Sequence, residues 1–103
     1  MRIIEQNMNT AIRNRQNFSS SNTMVRIDGD VATVFLHGNK IAEVSSSFVA
    51  LFDGGWQSNT TKSRLNAICE EFRPHTRVFQ KNWQWFISTA KGNKFDFISG
   101  SLV

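Results

Sequence analysis

The spacing of apolar and polar positions changes period several times along the chain. Ile4, Met8, Ala11 and Ile12 recur at i, i+4, i+7 and i+8, which places them on one face of an α-helix. Arg13 and Arg15 fall near its end, where cations complement the negative pole of the helix dipole. The polar run N-F-S-S-S-N (17–22) then breaks the pattern and reads as a linker. From residue 24 the period drops to two. Residues 24–27 and 31–36 flank Asp28-Gly29-Asp30, a hairpin loop whose glycine can take a positive φ. His37-Gly38-Asn39-Lys40 is a second turn, leading into Ile41, Ala42 and Val44. Ser45-Ser46-Ser47 is a third, followed by F-V-A-L-F (48–52). Four short strands joined by tight turns form an antiparallel meander with one buried face.

After Gly54-Gly55 the helical period returns. Thr61, Leu65, Ile68, Cys69 and Phe72 follow i, i+4, i+7, i+8 and i+11, with Ser58, Asn59 or Thr60 available as the N-cap. Pro74 closes this helix. R-V-F-Q-K-N-W-Q-W-F-I (77–87) predicts two strands around a Lys81-Asn82 turn. Lys91-Gly92-Asn93 is a further turn and F-D-F-I (95–98) a last short strand. The expected fold is α+β: an antiparallel meander sheet with one strong amphipathic helix packed on it and an extra N-terminal helix. It is a single domain over 1–103, with 1–22 as N-terminal helix and linker and 23–103 as the core.

Composition narrows the class without naming a function. A chain of 103 residues supports one modest core, and 40% hydrophobic content with nine Phe and three Trp favours folding over disorder. No apolar run approaches the roughly 18 residues of a membrane span, and the early Glu5 interrupts any secretory leader. The single cysteine, Cys69, excludes an intramolecular disulfide. A cytoplasmic protein with no membrane partner is the expectation. The net charge of +4 leans towards polyanions, although scattered cations suit a plain solvated surface equally well.

The densest chemistry lies in D-G-G-W-Q-S-N-T-T-K-S-R-L-N-A (53–67). Glycines let backbone N–H groups converge, and a helix N-terminus adds unpaired donors and partial positive charge. Acidic residues normally fill such a first turn. Here Thr60, Thr61, Lys62 and Arg64 stand there instead, so with Gly55 they form a candidate phosphate site. Both cations lie off the apolar stripe, which leaves them free for a ligand or simply for water. The spacing is not that of a P-loop. Trp56 could stack on a nucleobase. Trp83 and Trp85, two apart in an expected strand, would share a face near Arg77 and Lys81, as a platform or as core.

Catalytic and metal chemistry find less support. His37, His75 and Cys69 are isolated, with no paired ligand spacing, and no cofactor motif occurs. Asp28, Asp30 and Asp53 suit turns, Glu70 and Glu71 fall on a polar helix face, and Cys69 sits in the apolar stripe. No acid/base pair or nucleophile can be read, so an enzyme ranks third.

L-H-G-N-K-I-A (36–42), D-G-G-W-Q-S-N-T-T-K-S-R-L-N (53–66), Phe72 and V-F-Q-K-N-W-Q-W-F-I (78–87) together resemble an uncharacterised small domain family common in phage and plasmid genomes. The resemblance covers about half the chain. It implies a phage or plasmid origin and carries over no catalytic residues. Arg73-Pro74-His75-Thr76 departs from the glycine-containing turn the family pattern has there. The leading expectation is a phage-type accessory protein that binds nucleic acid through phosphate contacts at Gly55, Thr60, Thr61, Lys62 and Arg64, with Trp56 stacking. The alternative is an interaction module acting on a host or phage protein, for which the same corner is only structural.

Overall fold

A computed structural model describes residues 1–103. The first helix, α1 (Ile3–Asn14), buries Met8, Ala11 and Ile12 as its periodicity requires. It buries Glu5 and Asn9 as well, because Glu5, Met8, Asn9 and Ile12 form their own i, i+3, i+4, i+7 row facing the rest of the protein. Residues 17–22 are not a linker. They contain a short strand, β1 (Phe18–Ser20), paired antiparallel to β2 (Thr23–Asp28). Serines there face water, and backbone pairing holds the strand without apolar alternation.

The meander follows as expected: β2, β3 (Val31–Leu36), β4 (Asn39–Val44) and β5 (Val49–Leu51), each antiparallel to the last. Val25 faces Val34, and Val34 faces Ala42, so one side of the sheet carries Val25, Val34, Ala42 and Leu51 into the core. His37 and Gly38 both have positive φ, which makes the β3–β4 connection a two-residue turn that matches the sheet twist.

The second helix, α2 (Asn59–Phe72), is capped by Ser58, whose Oγ accepts the Thr61 N–H at 3.1 Å. It ends before Pro74. Leu65, Ile68 and Cys69 are fully buried. α2 also touches α1, β4 and the strand β6 (Arg77–Lys81), so it is covered on more than one side. β6 pairs with β7 (Gln84–Ser88), which pairs with β8 (Lys94–Asp96), making a separate three-stranded sheet. Val78, Trp85, Ile87 and Phe97 carry that sheet into the common core, with Trp85 edge-on to Phe97 at 5.4 Å. A ninth strand, β9 (Ser101–Leu102), returns to β5 and completes a six-stranded sheet ordered β1-β2-β3-β4-β5-β9. The fold is α+β, with two antiparallel sheets where one was expected. No helix is long and apolar enough to cross a membrane.

Candidate nucleic-acid interface

The glycine corner is wound tightly onto itself. Gly54 has φ +70, and a Cβ there would stand 3.2 Å from both Asn39 Cβ and Ile41 Cγ2, so backbone conformation and space both demand glycine. Gly55 has φ +85 in open space. Its N–H donates to Asp53 Oδ1 at 2.8 Å, an Asx turn that occupies a donor expected to face a ligand. Thr61 is buried, its hydroxyl 2.9 Å from Ser58 Oγ and 3.4 Å from the Trp56 carbonyl. Lys62 is half-buried, with its ammonium 3.4 Å from Gln80 Oε1. Thr60 is half-buried too, whereas Trp56 is 75% exposed.

Arg64 does not face a ligand. It is 3% exposed, and its Nη1 lies 2.8 Å from Glu5 Oε2 on α1. Its Nε donates to Thr23 Oγ1 at 3.0 Å and its Nη2 to Asn22 Oδ1 at 3.3 Å. Glu5 accepts further bonds from Ser63 Oγ at 2.6 Å and from the Arg2 N–H at 3.1 Å. Burial pushes the Glu5 carboxyl up, but the Ser63, Arg2 and Arg64 donors outweigh it and hold it below the usual carboxylate range. The expectation that Arg64 lies free beside Lys62 therefore fails. Its helix face is covered by α1, an element whose position periodicity alone does not set. The missed signal was Glu5 itself, a carboxylate inside the buried row of α1.

The second hairpin corrects the tryptophan pair. Lys81 faces Gln84, so the turn consists of Asn82 and Trp83, with φ +52 and +65. Trp83 stands at the turn tip, 91% exposed, while Trp85 is buried in the core. The two do not share a face, because Trp83 precedes the strand. A left-handed backbone at a non-glycine residue costs roughly 1–2 kcal/mol, and glycine is the usual occupant of this position. Lys62, Gln80, Asn82 and Trp83 line a shallow concavity between the turn and α2.

The outward face of β6–β8 carries what the tryptophans do not. Arg77, Phe79 and Lys81 alternate outward on β6 against buried Val78, and Gln84, Phe86 and Ser88 do so on β7 against Trp85 and Ile87. Phe79 and Phe86 are cross-strand partners with stacked rings 5.6 Å apart. From β8, Lys94 holds its ammonium 5.3 Å from the Phe86 ring centre. Arg77, Lys81 and Lys94 belong to none of the four ion pairs, which use Arg13, Arg15, Lys40 and Arg64. One acid, Asp96, lies opposite Phe86.

A family model described as Kyanoviridae Gp96 protein matches residues 1–103, the whole chain. The chain belongs to this phage protein family. No curated protein and no solved structure matches it.

The Gp96 family match takes in the N-terminal helix and the C-terminal tail, which the motif resemblance left out. Within this chain, much of the T-T-K-S-R-L-N run closes the fold. Thr61 completes the N-cap, Arg64 joins α2 to α1 and β2, and Asn66 grips β6. The Asn66 amide accepts the Val78 N–H at 2.8 Å and donates to the Val78 carbonyl at 2.9 Å, as a neighbouring strand would. Cys69 is fully buried, and burial pushes its thiol up to about 12 against a weaker opposing pull from Arg73. It is a neutral thiol at physiological pH. No three His, Cys, Asp or Glu side chains gather as a metal site.

Proposed function

We propose that this phage protein binds nucleic acid, and that the contacts centre on the outward face of β6–β8 rather than on the glycine corner before α2. The observation that carries this reading is the stacked Phe79–Phe86 pair with Arg77, Lys81 and Lys94 around it, none of them neutralised by an ion pair. Aromatic rings on a sheet offer bases a stacking surface, and neighbouring cations hold the backbone. Charge distribution agrees: residues 77–96, the three strands and their turns, contain Arg77, Lys81, Lys91 and Lys94 against Asp96, so this segment holds most of the chain's +4 net charge. At the helix mouth, only Lys62, Thr60 and Trp56 remain available for a ligand, since Gly55, Thr61 and Arg64 are engaged within the protein.

The test is a salt titration of fluorescence anisotropy with short single- and double-stranded oligonucleotides. Replacing both Arg77 and Lys81 by alanine should weaken binding and flatten the slope of log affinity against log salt by about 1.4 on a single strand, two phosphate contacts' worth. Equal slopes for the variant and the native protein, or no binding by the native protein at low salt, would favour the interaction-module alternative.

A further inference from the structure

Trp83 combines two features that folding alone does not favour. It is the most exposed of the large hydrophobic residues, at 91%, and it occupies the second position of a two-residue turn with φ +65. Asn82 before it suits a left-handed conformation, and glycine would suit the position after it. Tryptophan there has the steric strain of a left-handed β-carbon and leaves a large ring in water. Around it stand Lys62, Gln80 and Asn82, which line one shallow concavity with it. Lys81, the last outward cation of β6, immediately precedes the turn.

We infer that Trp83 is a base-stacking residue and that the ligand is consequently single-stranded nucleic acid. The inference rests on the nucleic-acid reading above and narrows it. A tip-mounted indole can lie against the face of an unpaired base, and in a duplex those faces are closed by stacking. The Lys62 ammonium supplies a cation for the adjoining phosphate. The Gln80 and Asn82 amides can donate to or accept from base edges without selecting one base. Strain retained in a turn under an exposed aromatic is what a binding role would maintain and a purely structural role would have relieved with glycine.

The decisive variant is Trp83→Gly, because it should improve the fold while damaging the site. The protein should melt at a higher temperature than the native chain and bind a fluorescein-labelled mixed-sequence single strand at least about fivefold more weakly, the lower end of one base–aromatic stack. Affinity for the matching duplex should change little. Trp83→Phe should keep most of the single-strand affinity, since a phenyl ring still stacks. If Trp83→Gly melts higher yet binds the single strand like the native protein, the stacking role is wrong while nucleic-acid binding stands. A lower melting temperature with unchanged binding would make Trp83 part of the fold. Native protein that binds duplex and single strand alike would remove the strand preference, and native protein that binds neither would overturn both readings.

Discussion

Arg64 and Lys62 sit two positions apart in one motif and have opposite circumstances. Arg64 is enclosed with Glu5, Thr23 and Asn22, and Lys62 reaches a single amide near the surface. Removing one partner of a buried ion pair strands the other in a low-dielectric site, so Arg64→Ala should destabilise by about 3–5 kcal/mol. Lys62→Ala should stay within about 0.5 kcal/mol, and chemical denaturation of the two variants makes the comparison. Equal, small losses would mean that the pair contributes nothing to the fold. The same site sets an acid response. The folded Glu5 carboxyl titrates below its ordinary value, so its contribution is complete above about pH 4.3 and disappears as pH falls through the lowered value. Melting temperature should therefore drop on that acid limb, and Glu5→Gln should flatten the drop. The sequence shows the charge of Arg64 but not its burial, because burial requires knowing that α1 lies against this face of α2.

For helices and hairpins, periodicity was a good guide where one face decides burial. Both helices and the β2–β5 meander lie where apolar spacing puts them, and Ser58 proves to be the cap among three candidates. Three features escaped it. β1 is polar and held by backbone bonds, and β9 is two residues long, so neither writes a period-two pattern. The 77–87 hairpin turns at Asn82-Trp83 rather than Lys81-Asn82, a one-residue difference that separates Trp83 from Trp85. The Asn66 side chain of α2 holds the Val78 backbone of β6 by two hydrogen bonds. Asn66→Ala leaves the Val78 N–H and carbonyl without those partners and should cost about 1–3 kcal/mol, with hydrogen exchange at the Val78 amide speeding up more than at Val34. Leu65→Ala, at a fully buried position on the same helix, should cost about 2–5 kcal/mol. If Val78 exchange is unchanged in the Asn66 variant, the Asn66 side chain does not anchor the second sheet to α2.

Taken as one body, the protein segregates its charge. Elsewhere acids nearly balance the cations and four ion pairs form, while the small sheet keeps Arg77, Lys81 and Lys94 unpaired around two stacked phenylalanines. The total charge and its excess in residues 77–96 are readable from the sequence, but which cations find acids appears only in three dimensions. The same holds for Phe79 and Phe86, whose pairing appears only with the hairpin register. The central claim is that nucleic acid meets this face, and the most direct measurement is an amide chemical-shift titration of the isotope-labelled protein with a short single-stranded oligonucleotide. Shifts should concentrate at Phe79, Lys81, Trp83, Phe86 and Lys94 and fade towards α1 and the Arg64–Glu5 pair. Shifts centred on Gly55 and Thr60 instead, on the open face of the six-stranded sheet, or nowhere on the molecule would contradict the account.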